Sequence, residues 1–126
     1  MKLVKPKKNL GQHFLIDLEI ARRIADTVDA YPDIPVLEIG PGMGVLTQYL
    51  VTKNRDVKAV EIDSESVAFL HEHYPKLNDN IIGEDFLRMD LNEIFAGKQF
   101  VLTGNYPYDI SSHQHQDVRP MAYCLC

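Results

Sequence analysis

Cysteine is nearly absent: Cys124 and Cys126, one residue apart at the end of the chain, are the whole supply. Two such residues are too few for a disulfide framework and fall short of a zinc-ligand set. Long apolar runs are missing too, and nothing approaches the ~18 to 20 residues that cross a bilayer. The opening MKLVKPKKNL lacks the apolar stretch of a signal peptide, so a soluble, cytoplasmic protein is expected. No internal repeat or low-complexity block interrupts the chain. What is present suits a packed fold, with 126 residues, 45% of them hydrophobic and 25% charged, which is room for one domain.

The net charge of −5 hides a polarity, because Lys2, Lys5, Lys7 and Lys8 open the chain without an acid among residues 1–8. A basic arm of residues 1–16 on an acidic body hints at a polyanionic partner, since each lysine near a phosphate releases a condensed counterion. A merely solvated chain end carries the same charges.

Asp17 can cap a helix over about 18–30, where Ile20, Ile24 and Val28 recur at spacing four beside Ala21 and Ala25. Val36 to Ile39 reads as a short buried strand, followed by a glycine-rich turn and a helix from Val45 to about Lys53. A second strand is expected near 57–62, a third helix from Asp63 or Ser64 to Tyr74, a weak strand at 80–83 and a fourth strand at 100–104. This alternation predicts a doubly wound α/β domain with a parallel sheet over residues 17–112. Residues 113–126 show neither helix nor strand period and read as a polar tail, which leaves the fourth strand as a bare apolar edge.

The strongest local signal is Glu38-Ile39-Gly40-Pro41-Gly42-Met43-Gly44, with glycines at alternate positions between a strand and a helix. Glycine allows positive φ and lets a ligand reach the backbone. A dinucleotide fingerprint would need a third glycine at position 45, which is Val45, so the NAD reading is weakened and S-adenosylmethionine suits the turn better. Glu61, at the end of the second strand, is placed to accept ribose hydroxyls, and Asp85, after the third, to accept from an adenine amino group. Asn105-Tyr106-Pro107-Tyr108 closes the fourth strand at the edge where open α/β sheets bind ligands. There an Asn105 oxygen and a nearby carbonyl can hold an exocyclic amine while Tyr108 stacks on a flipped base. His71 and His73 stand two apart on a helix and face different ways, and with His113 and His115 in the tail no metal is expected.

Together with Asn9-Leu10-Gly11-Gln12-His13-Phe14-Leu15, Val60-Glu61-Ile62-Asp63, Glu84-Asp85-Phe86 and Gly104 to Ser111, these segments stand in an order that resembles ribosomal RNA adenine N6-dimethyltransferases of the KsgA type. The resemblance covers residues 9–112. It implies a Rossmann-like sheet of the class I methyltransferases, and an S-adenosylmethionine site lined by Gln12, His13, Leu15, Glu38, Gly40, Gly42, Gly44, Glu61, Asp85 and Asn105. Asn105, Tyr106, Pro107 and Tyr108 would hold the target adenine of small-subunit ribosomal RNA, and Lys5, Lys7 and Lys8 would touch RNA. Erythromycin-resistance methylases of the large-subunit RNA are similar in the same motifs. Family members continue past the Ile-Ser segment, so the fold is expected to be incomplete on its C-terminal side. A truncated chain of that kind is expected to self-associate through its open edge and to bind ligand or RNA without transferring a methyl group.

Overall fold

A computed structural model describes residues 17–104 and the strand 123–125. Helix α1, Leu18–Asp26, begins where the Asp17 carboxylate accepts the amides of Glu19 and Ile20, the anionic cap that a helix N-terminus favours. It continues as a tighter 3₁₀ turn over Thr27–Ala30, so the single helix expected to residue 30 is in fact two pieces. The buried face is Ala21, Ala25 and Val28, while Ile20 is exposed, because small residues let the helix lie close against the sheet.

Strands β1, Val36–Ile39, and β2, Val57–Val60, flank α2, Thr47–Leu50. The α2 turn is one turn of regular helix, and the segment as far as Lys53 continues in i→i+3 and i→i+4 bonds, shorter than the helix expected from Val45. Next come α3, Ser64–His73, capped by Asp63, then a 3₁₀ segment Pro75–Asn80 and the two-residue strand β3, Ile81–Ile82. A further 3₁₀ turn Phe86–Arg88, helix α4, Leu91–Ile94, and strand β4, Phe100–Gly104, follow.

The sheet order is β3-β2-β1-β4, all parallel, with β5, Tyr123–Leu125, added antiparallel to β4. Every residue of β1 and β4 is buried, as expected of parallel strands covered on both faces. Leu37, Ile39, Phe100 and Leu102 pack on Phe86, Ile94 and Phe95 on one face. Val36 and Val101 pack on Val28, Leu46, Leu50 and Leu77 on the other, which makes the sheet doubly wound.

Strand β5 corrects two expectations. The outer edge of β4 is not bare, since Leu102 pairs with Tyr123 and Phe100 with Leu125, and the case for self-association through that edge falls with it. Residues 113–126 are also not wholly without regular structure. Three residues are too few to display a period of two, and the open hydrogen-bonding edge of β4 supplies what the local sequence does not announce.

Tertiary ties hold the connections. The Arg55 guanidinium donates to the carbonyls of Val28 (2.7 Å), Tyr31 (2.6 Å) and Ile34 (3.1 Å), closing the loop that leads into β1. Lys53 bridges Asp26 (2.7 Å) and Asp29 (3.0 Å), and holds the Asp26 carboxyl below its ordinary range. No helix among the described residues is long and apolar enough to cross a membrane.

Candidate functional site

The glycine turn leaves β1 at the C-terminal edge of the sheet, where a parallel α/β fold presents its ligand crevice. Gly40, Gly42 and Gly44 all hold positive φ, at 63°, 57° and 84°. The Gly40 amide continues the ladder to the Val60 carbonyl, and the Gly44 amide closes a tight turn on Pro41 at 2.9 Å. The turn therefore bends back over the end of β2.

Glu61 follows β2 and is 1% exposed. One carboxylate oxygen accepts the Gly42 amide at 2.8 Å and the other accepts the Asp63 amide at 3.0 Å. Burial pushes its carboxyl up, and these two amides hold it back by stabilising the charge. Glu61 and the turn are thus joined by a direct bond as well as through any ligand they share. Each oxygen keeps a second lone pair, so acceptor capacity for hydroxyl donors remains. Asp63 does what its position suggested, with its carboxylate accepting the amide and hydroxyl of Ser66 to start α3.

Glu38 lies under the turn and is equally buried. The Thr47 hydroxyl donates to it at 2.5 Å, tying α2 to β1. Burial pushes its carboxyl up to about 8, with the nearby Glu61 charge adding to the rise. Asp85 sits beyond β3, where it caps the 3₁₀ turn by accepting the Leu87 amide at 3.0 Å and faces Arg88 at 3.8 Å.

Three contributors were not legible in the sequence. Ile62, next to Glu61, is 58% exposed, an apolar surface beside a buried acid at the ligand edge. Thr47 carried no motif. Tyr74, at the end of α3, donates its hydroxyl to the Gly44 carbonyl at 3.3 Å, and its ring backs the turn. Only the packing of α3 on the sheet brings residue 74 to residue 44.

The structure thus brings together Glu38, Gly40, Gly42, Gly44 and Glu61, with Asp85 one strand further along. Lys5, Lys7, Lys8, Gln12, His13, Leu15, Asn105, Tyr106, Pro107 and Tyr108 lie outside the described residues. Among the described residues no group of three or more His, Cys, Asp or Glu side chains could hold a metal ion.

A family model described as ribosomal RNA adenine dimethylase matches residues 4–115. The chain is 70% identical over 112 residues to the ribosomal RNA small subunit methyltransferase A of Bacteroides thetaiotaomicron, covering 89% of this chain and 42% of that protein. It is 56% identical to the protein of the same name from Porphyromonas gingivalis, over 98% of this chain and 50% of that one. The chain therefore spans between two fifths and half of these relatives. In fold it is similar to CalS10, an amino pentose methyltransferase from Micromonospora echinaspora, with a TM-score of 0.53 at 18% identity over 70% of this chain and 50% of that one. The glycopeptide N-methyltransferase MtfA gives 0.52 at 17% identity, over 81% and 62% of the two chains.

Proposed function

The chain belongs to the ribosomal RNA adenine dimethylase family, and from that premise we propose that it carries the cofactor half of an enzyme that methylates N6 of adenines in small-subunit ribosomal RNA. The reading rests above all on the bond from the Gly42 amide to Glu61, which builds one unit from the turn and the acid that a nucleoside ligand needs. S-adenosylmethionine, which supplies a methyl group on a sulfonium centre, is the cofactor this unit fits. Glu61 accepts from the ribose hydroxyls, the exposed face of Ile62 covers apolar ring surface, and Asp85 takes the adenine amino group. His13, with Gln12 and Leu15 beside it, closes the site from the N-terminal arm.

The target adenine belongs to Asn105-Tyr106-Pro107-Tyr108. A residue before proline favours extended backbone, which on this reading lets the Asn105 side-chain oxygen and the Tyr106 carbonyl accept the two N–H groups of N6 and leave its lone pair free. Tyr108 stacks on the extruded base. These groups act by alignment and by stabilising growing positive charge, and the proton leaves to solvent without a strong base. Lys5, Lys7 and Lys8 neutralise phosphates of the RNA. Such an enzyme acts in ribosome biogenesis in the cytoplasm.

The test is calorimetric titration with S-adenosylhomocysteine against NAD, followed by radiolabelled methyl incorporation into under-methylated small subunits. Binding of the adenosyl ligand alone supports the reading, and incorporation extends it to this chain. Preference for NAD would overturn it, and binding without incorporation would leave the chain as a ligand-binding unit only. Incorporation into large-subunit RNA instead would move the target to the erythromycin-resistance type.

A further inference from the structure

Two buried side-chain oxygens have no hydrogen-bond partner among the described residues: Oε2 of Glu38 and Oγ1 of Thr103. They are not scattered. Glu38 and Thr103 are register partners on the adjacent parallel strands β1 and β4. Residues paired in register project to the same face, here the face of Val36, Val101 and Leu50, onto which α2 packs. Buried polar atoms without partners are rare and call for an explanation, and two on neighbouring positions call for a common one.

We infer that Glu38 is a positioning residue that works as a neutral acid, its carboxyl joining α2 through Thr47 to β4 through Thr103 and so fixing the glycine turn relative to the strand that runs into Asn105. The Oε1 atom is already the acceptor for Thr47. Among the described residues Oε2 receives no hydrogen bond, so an ionised Glu38 would bury an uncompensated charge there, whereas a proton removes that charge and leaves a carboxyl and a hydroxyl on paired positions, two neutral groups each able to donate to and accept from the other. An ionised Glu38 would instead set a second buried negative charge beside that of Glu61.

The groups that face Glu38 agree with this. From α2 comes the Thr47 hydroxyl, from β4 that of Thr103, from the end of β2 the acid Glu61 and from the end of α3 the phenol Tyr74, so among the described residues no cation faces it. Its carboxyl pushed up to about 8 follows from that burial. The ends of the two strands are also held close. Gly104, next to Thr103, has φ 151°, and a Cβ there would run into the Ile39 carbonyl, so β4 lies tight on β1 where the acid acts.

Two arms test the inference. The first compares urea unfolding of the wild type and Glu38→Gln from pH 5 to 9. A group whose folded pKa is raised loses stability as pH climbs from its unfolded value to its folded one, and the loss levels off above that. The unfolding constant of the wild type should therefore rise against that of Glu38→Gln by up to roughly tenfold per pH unit between about 5 and 8, then run parallel. Glu61 is present in both proteins, and because its charge acts on Glu38 the difference between the curves reads the part of this coupled pair that needs the Glu38 carboxyl. Parallel curves throughout would overturn the neutral acid.

The second arm rests on the cofactor reading above. At pH 7, Thr103→Val should bind S-adenosylhomocysteine about tenfold more weakly while Thr103→Ser stays within about threefold of wild type, a conservative rescue that a loss of folding would not produce. Wild-type affinity in Thr103→Val would overturn the positioning role. If the wild type fails to bind this ligand at all, the cofactor reading falls, and the unfolding arm still decides the state of Glu38.

Discussion

The ring of Tyr74 stands where a side chain on residue 44 would have to go. A Cβ at Gly44 would lie 2.6 Å from one ring carbon and 2.8 Å from the hydroxyl oxygen, and the backbone there holds φ 84°. The last glycine of the turn thus makes room for a tyrosine packed behind it, while Gly42 offers its amide to Glu61 on the other side. The alternating glycines serve different neighbours.

Gly44→Ala should therefore cost about 2 to 3 kcal/mol, from positive φ at a residue with a Cβ together with displacement of the ring. Urea unfolding measures it. The same change made in a Tyr74→Leu background should cost less, the remainder being backbone strain. Equal costs in both backgrounds would show that the ring is not the obstacle.

Glu61→Gln should bind S-adenosylhomocysteine at least about tenfold more weakly and lose about 1 to 3 kcal/mol of stability. The carboxylate serves two amides with two oxygens, and an amide side chain replaces one acceptor by an NH₂ group facing an N–H donor. Calorimetry and urea unfolding read the two effects separately. An unchanged affinity would remove Glu61 from the ligand site.

Arg55→Lys should lower stability by about 2 kcal/mol with ligand affinity preserved below the unfolding midpoint. A guanidinium spans the carbonyls of Val28, Tyr31 and Ile34, whereas an ammonium is one compact point and cannot reach all three. Thermal unfolding checks it, and an unshifted midpoint would make the clamp incidental.

Replacing Lys5, Lys7 and Lys8 by alanine should flatten the plot of log RNA affinity against log salt by roughly two to three units. Filter binding at several salt concentrations gives the slope. Equal slopes for the two proteins would return these lysines to ordinary solvated charges.

Much of this protein is written in local sequence. Asp17 and Asp63 start helices because a short carboxylate reaches the amides two and three residues on. The largely apolar runs at Val36 to Ile39 and Phe100 to Thr103, each with one polar residue, become strands because both faces of a parallel sheet are covered. Gly40, Gly42 and Gly44 mark the turn because other residues resist positive φ. All of these depend on interactions across a few residues, and so a linear reading finds them.

Other features depend on contacts that no spacing encodes. Tyr74 reaches Gly44 across 30 positions, Arg55 gathers carbonyls more than 20 residues away, and Tyr123–Leu125 pairs with a strand beyond a long connection. Glu38 reads as one more acid in a glycine motif until the sheet sets Thr103 beside it and α2 brings Thr47 above it. Burial then decides its chemistry, because the cost of a charge is set by the surroundings that the whole fold assembles and not by the residues on either side of it in the chain.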